Sequence, residues 1–98
     1  MTRQVSLSVN DAPIKLGYFV QGFIDRTVSG ILAGLEGTGE IESLDIEIQG
    51  DTVTINLNNA LVPINLFATR IIRNTIYGMV SSLNGVGEIS GLNINIRK

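Results

Sequence analysis

The residue types that most often carry out chemistry are scarce in this sequence. Its 98 residues include no His, no Cys and no Trp, which excludes imidazole and thiolate metal sites, disulfides, and Cys–His or Ser–His catalytic pairs. Two carboxylates that converge can still bind a cation or share a proton, and Glu40 and Glu88 occupy matching contexts along the chain. We expect these two side chains to be solvated at the starts of separate strands. The sequence therefore predicts no catalytic residue, no metal site and no cofactor.

One short segment, Val20-Gln-Gly-Phe-Ile-Asp-Arg26, resembles the acylphosphatase signature V-Q-G-V-x-F-R. That family has a ferredoxin-like fold of similar length, and the resemblance implies a small hydrolase in which Arg26 cradles phosphate. Asp25 stands where the family has Phe, and the family's later G-W-V-x-N segment has no counterpart because the chain lacks Trp. The hydrophobic periodicity predicts that residues 20–26 lie inside a helix, whereas the family's signature forms a strand-to-helix loop.

Charges are distributed unequally between the two halves of the chain. Residues 1–49 contain seven acids and three bases (net −4), and residues 50–98 contain two acids and four bases (net +2). Charge complementarity guides docking, and Arg and Tyr are enriched at interfaces. The candidate partner surface therefore comprises Arg70, Arg73, Asn74 and Tyr77 on a predicted helix, with Asp45 and Glu47 on a predicted strand.

Each part of this candidate surface also has an alternative interpretation. The acidic strand around Asp45 and Glu47 can protect a sheet edge from aggregation, or it can pair edge to edge with a partner. The polar residues of the helix can form an ordinary solvated face. Asp25 and Arg73 occupy equivalent positions, so an ion pair between them is expected if the two helices pack about a twofold axis.

A repeat of 48 residues organises the elements that must position these side chains. Residues 2–50 align with residues 50–98 without a gap, and 15 of the 49 pairs are identical. Two copies are too few for a solenoid, which needs at least three. We therefore predict a single domain, residues 1–98, made of two repeats of about 2–49 and 50–98 that are related by a pseudo-twofold axis.

Each repeat is predicted to begin with a strand and a short return. Val5, Leu7 and Val9 alternate with polar residues, which is typical of a half-buried strand. Asn10-Asp11 and Asn58-Asn59 are turn dipeptides that tolerate positive φ. The returns at 12–16 and 60–64 each contain a Pro, which favours an edge position.

A long helix and a last strand complete each repeat. Helices are predicted over 18–35 and 66–83, with Asn65 as the N-cap of the second. Glycines that follow these helices, Gly37-x-Gly39 and Gly85-x-Gly87, are expected to cap them rather than to bind phosphate, which prefers a helix N-terminus. The turn at 49–52 is expected to join strand 41–49 to strand 52–58 as a hairpin.

One half of each helical wheel is expected to face the core. Gly30 and Gly78, identical in the two repeats, are expected on that buried side, where the helix backbone approaches the sheet or the other helix. The residues expected to point inward are Phe19, Val20, Phe23, Ile24, Thr27, Ile31 and Leu35 in the first helix, and Phe67, Ala68, Ile71, Ile72, Thr75, Met79 and Leu83 in the second.

These patterns predict an α+β two-layer sandwich. The alternation of the strands implies an antiparallel sheet with two helices on one face and a polar, open second face. The order of elements matches either a ferredoxin-like βαββαβ fold or a doubled ββαβ variant.

The function predicted from the sequence is a non-enzymatic small binding or assembly module of unknown specificity, acting through self-association or a protein partner. The alternatives are an acylphosphatase-like hydrolase using Arg26 and a small-ligand-binding regulatory domain. A net charge of −2 argues against nucleic acid, and all five aromatic residues fall in the helices, so none is expected on the sheet to stack on bases. No signal peptide, membrane span or Cys is found, so we expect a cytoplasmic protein that does not act at a membrane.

Overall fold

The computed structural model describes residues 3–35, 40–83 and 86–98. Strand, return strand, helix and strand follow one another twice along the chain, as predicted. The helices end one and two residues earlier than predicted. The elements are β1 (Gln4–Val9), β2 (Ala12–Ile14), α1 (Tyr18–Gly34), β3 (Ser43–Gln49), β4 (Thr52–Leu57), β5 (Ala60–Leu61), α2 (Leu66–Ser81) and β6 (Gly91–Arg97).

All six strands form one antiparallel sheet in the order β2-β1-β6-β3-β4-β5. The predicted hairpin of β3 and β4 is confirmed, with Gln49 opposite Thr52 and Gly50 in the turn at φ 58°. The last strand of the chain, β6, pairs with the other side of β3, so that Ile46 lies opposite Ile94 at the centre of the sheet. The interpretation of acidic strand β3 as a protected or pairing edge is therefore wrong, because both of its sides are already hydrogen-bonded.

The sheet buries one face beneath the two helices and leaves the other face open. Leu44, Ile46 and Ile48 of β3 are buried, whereas the alternate side chains Asp45 and Glu47 are not. The same alternation runs along β1 and β6. The buried apolar residues of sheet and helices form one cluster, which confirms the predicted α+β sandwich with an antiparallel sheet.

The inward face predicted for each helix is confirmed in part. Ile24, Ala68 and Ile72 are buried, and the other predicted inward residues that pack partly buried against the core are Val20, Ile31, Leu35, Met79 and Leu83. The buried positions recur every four residues, at Ile24, Val28 and Leu32 in α1. They are Ala68, Ile72, Ile76 and Val80 in α2. The inward predictions for Phe19, Phe23, Phe67 and Ile71 are wrong, because all four side chains are exposed. Apolar residues lie on all sides of the first turns of each helix. The stripe that packs on the sheet is the aliphatic one, which contains no aromatic ring.

The predicted position of two helical glycines is also wrong. Gly30 and Gly78 lie on the exposed side of their helices, and a Cβ atom added to either would meet no atom within 4 Å. Close approach to the sheet is therefore not the reason for these glycines. Gly37, Gly39 and Gly85, predicted to cap helices, lie outside the described residues.

Polar side chains fix the local geometry where the elements begin and turn. The predicted N-cap of α2 is confirmed, because the Asn65 side chain accepts the Ala68 N–H at 2.8 Å. All four residues of the two turn dipeptides have φ between 52° and 67°. The Oδ1 atom of Asn58 accepts the N–H groups of residues 42 and 43 at 2.8 and 3.0 Å, and that of Asn10 accepts those of residues 90 and 91 at 2.7 and 3.0 Å.

Candidate functional site

The most distinctive surface in the described part of the chain is the side of α1 and α2 that faces away from the sheet, here called the outer helical face. Large apolar side chains lie exposed on its N-terminal half in both helices, with Phe19 at 79% and Phe67 at 74% exposure. In α1 the rings of Phe19 and Phe23 stack with their centroids 6.3 Å apart. The exposed large apolar residues of this face are Tyr18, Phe19, Phe23, Leu66, Phe67 and Ile71.

The C-terminal half of the same face carries small side chains. In α2 the hydroxyls of Ser81 and Ser82 donate to the Gly78 carbonyl at 3.2 and 2.9 Å, so they are satisfied within their own helix. Within the described residues, a Cβ atom added at Gly30, Gly34 or Gly78 would meet no atom within 4 Å. The small exposed residues are Gly30, Ala33 and Gly34 at the end of α1, and Gly78, Ser81 and Ser82 at the end of α2.

Two ion pairs hold the flanks of the helices to the sheet. Arg3 Nη1 lies 2.7 Å from Asp25 Oδ1, and Arg73 Nε lies 3.5 Å from Asp51 Oδ1 while donating to the Gly50 carbonyl at 2.7 Å. The expected ion pair between Asp25 and Arg73 is therefore not formed. The two pairs occupy positions 48 residues apart with the charges exchanged, since Arg3 aligns with Asp51 and Asp25 aligns with Arg73.

Each ion pair borders a groove beside the large apolar residues. The two grooves have volumes of about 340 and 400 Å³. Each contains two arginines and one aspartate, and within the described residues neither Arg26 nor Arg70 forms an ion pair. The first groove is lined by Arg3, Tyr18, Phe19, Gln21, Gly22, Asp25 and Arg26. The second is lined by Asp51, Leu66, Thr69, Arg70, Arg73 and Asn74.

The six residues of the candidate partner surface lie on two opposite sides of the molecule. Arg70, Arg73 and Asn74 line the groove of α2, and the Arg73 guanidinium lies 4.5 Å from the centre of the Tyr77 ring. The other two residues, Asp45 and Glu47, lie on the open face of the sheet.

On that open face the Asp45 carboxylate is held by neighbouring amides. Its Oδ1 atom accepts the side-chain N–H groups of Asn93 at 3.0 Å and Asn95 at 3.3 Å. The structure therefore does not bring the strand residues of the candidate partner surface together with its helical residues.

Glu40 and Glu88 lie at opposite ends of the sheet. Glu40 precedes β3 and Glu88 precedes β6, and these strands are antiparallel, so the two carboxylates do not converge. The ammonium group of Lys98 donates to Glu40 Oε2 at 2.8 Å. This hydrogen bond and the lysine charge lower the pKa of Glu40 from its usual 4.5 and raise the pKa of Lys98.

The segment from Val20 to Arg26 that resembles the acylphosphatase signature lies inside α1. The Gln21 N–H donates to the Gly17 carbonyl at 3.0 Å, and the following N–H groups of a helix are bonded in the same way. The segment therefore offers no loop of free N–H groups for an anion. In the described parts of the chain, no three acidic side chains gather as metal ligands, and neither helix combines the length and apolar content needed to cross a bilayer.

The exposed apolar half of the outer helical face is the feature that sequence reasoning missed. Its signal is present when the two halves of the sequence are aligned, because Phe19 then falls on Phe67, and Tyr18 and Phe23 fall on Leu66 and Ile71. A core position and a contact position are equally apolar, so the pattern alone does not separate them. No family model matches the chain, and comparisons with curated proteins and with solved structures give no match.

Proposed function

We propose that this chain is a non-enzymatic docking module that contacts its partner through the outer helical face. The observation that carries the proposal is the set of six large apolar side chains exposed there. At about 150–250 Å² per side chain, their exposed fractions correspond to roughly 600–1,000 Å² of surface. The two helices share this area about equally, so each carries roughly 300–500 Å², which is the size of the largest apolar patch on a typical monomer, a patch that is often functional.

The arginines beside this surface supply its polar border. Arg26 and Arg70 lie on the exposed side of the two helices, and in α2 the Arg73 guanidinium stacks on the Tyr77 ring. An apolar centre with a polar, arginine-containing rim is the usual anatomy of a protein interface. Asp45 and Glu47, on the opposite side, belong to no part of this contact.

We infer further that residues 1–98 form one domain of two repeats in a doubled ββαβ arrangement with a pseudo-twofold axis. Three features in support recur at an offset of 48 residues. They are the Asn10 and Asn58 turns, the ion pairs Arg3–Asp25 and Asp51–Arg73, and the exposed apolar positions at the start of each helix. Two like halves would present the same kind of contact twice on one side of the molecule.

A binding panel with matched variants tests the docking function. The purified chain is measured against itself by sedimentation, and against neutral and anionic phospholipid vesicles by flotation. We expect it to bind at least one of these, and we expect Phe19→Ser combined with Phe67→Ser to weaken that binding at least about tenfold. Because both rings are mostly exposed, circular dichroism should show an unchanged fold.

Leu61→Ser is the matched control for this panel. Leu61 is 68% exposed, but it lies on the edge strand β5 rather than on a helix, so its loss should leave binding unchanged. Absence of binding to every member of the panel, or an equal loss in the control variant, would overturn the proposed function.

A further inference from the structure

Resting on this docking function, we propose that the occupant of the outer helical face is a second copy of the same chain. The two copies would pack helices on helices about a twofold axis, with their open sheet faces on the outside. In this contact the two large apolar N-terminal halves of each copy would meet the two small-residue C-terminal halves of the other copy.

The area of the surface matches what a symmetric dimer needs. A stable interface buries about 800 Å² on each partner, and the exposed apolar side chains of this face alone supply roughly 600–1,000 Å². In a twofold interface each copy contributes the same patch. One copy of this chain therefore offers enough apolar surface to cover another without any additional partner.

Matching positions in the two helices suit a twofold contact. Phe19 and Phe67 are equivalent in the alignment of the halves, and both are exposed. The start of α1 and the end of α2 border a common groove lined by Gly17, Val20, Ser82 and Leu83, among others. Large residues of one helix therefore neighbour small residues of the other, and turning a second copy over can place large against small.

The helical glycines give an independent reason for close approach from outside. A Gly within a helix costs about 1 kcal/mol relative to Ala, and among the described residues no atom lies within 4 Å of a Cβ added at Gly30 or Gly78. A partner that seats its aromatic rings on these positions does require them to lack a side chain. The hydroxyls of Ser81 and Ser82 are already bonded to the Gly78 carbonyl, so covering them leaves no unsatisfied donor.

An anionic bilayer is the competing occupant, because Arg26 and Arg70 lie on the same side as the apolar residues. A bilayer surface would bind apolar and basic side chains, but it would gain nothing from the small residues at the helix ends. The two occupants therefore respond differently when the small residues are enlarged.

Analytical ultracentrifugation of the full chain tests this proposal. We expect the weight-average mass to rise to twice the monomer mass with concentration, and Phe19→Ser with Phe67→Ser to raise the dissociation constant at least about tenfold. Gly30→Leu combined with Gly78→Leu adds apolar area while filling the small half, so it should also raise the dissociation constant about tenfold or more. Leu61→Ser should leave the constant unchanged.

A second set of outcomes would overturn the proposal. These are a monomer at every concentration, equal weakening by Leu61→Ser, or unchanged or tighter association in the double Leu variant. A strictly monomeric chain that floats with anionic vesicles would refute the second copy and leave the docking function standing. A monomer that binds no vesicle would refute both.

Discussion

Gly30→Ala and Gly78→Ala should each stabilise the isolated fold. Both glycines lie in helix interiors on the exposed side, and an added Cβ would meet nothing within 4 Å. The gain is about 0.5–1 kcal/mol at each site, because Ala has less conformational freedom to lose and a higher helix propensity. The two sites lie on different helices, so the double variant should gain about 1–2 kcal/mol.

Urea denaturation followed by circular dichroism measures this gain. The variants are made in the Phe19→Ser, Phe67→Ser background, in which the proposed self-association is weakened and adds less to the apparent stability. The midpoint should rise while the slope with urea stays constant. A lower midpoint for either variant would refute the placement of these glycines on an open surface.

Gly50→Ala supplies the control with the opposite sign. Gly50 also has no atom within 4 Å of an added Cβ, but its φ is +58°. A side chain in this left-handed conformation costs about 1–2 kcal/mol, so the midpoint should fall. An equal rise of the urea midpoint in all three variants would show that the stability changes come from the unfolded state alone.

Three further predictions address the turns and ion pairs. Asn58→Ala should lower the free energy of unfolding by about 1–3 kcal/mol more than Asn59→Ala, because both positions have positive φ but only Asn58 accepts the N–H groups of residues 42 and 43; urea denaturation measures the difference. Arg3→Asp should lower the free energy of unfolding by up to about 1 kcal/mol. Adding Asp25→Arg should restore it to within about 0.5 kcal/mol, because the second half of the chain has the same pair with reversed charges, Asp51 and Arg73. A double-mutant cycle that shows no recovery would contradict this. The pair of Glu40 and Lys98 contributes stability above the usual carboxyl pKa of 4.5 and loses it as the pH falls through the lowered pKa of Glu40; Glu40→Gln should remove this part of the acid dependence, and an unchanged profile would contradict it.

The sheet could be predicted from the sequence because its signals are local. Val5, Leu7 and Val9 alternate with polar residues, and the Asn-containing dipeptides mark the turns. Each strand can therefore be predicted from its own residues. The pairing of β6 with β3 depends on residues almost 50 positions apart in the chain. No local pattern encodes that contact, so the acidic residues of β3 predict an edge strand where the folded sheet has an interior one.

The helices could be located from the sequence, but their buried face could be predicted only in part. Phe19 and Phe67 are apolar like the buried Ile24 and Ile72, so the helical wheel contains two apolar stripes around the first turns. Packing density decides between them in the folded molecule, because aliphatic side chains four residues apart fit closely on the sheet. Gly30 and Gly78 lie on the exposed side of their helices, and the wheel predicts them on the buried side for the same reason.

Hydroxyl-radical footprinting across protein concentration tests most directly whether the outer helical face is the contact surface. At a constant radical dose, oxidation of Phe19 and Phe67 should fall several-fold between dilute and concentrated protein. Oxidation of Leu61, which is equally open but lies on the sheet edge, should stay constant. The account would be contradicted if the oxidation of Phe19 and Phe67 did not change with protein concentration, or if only Leu61 became protected.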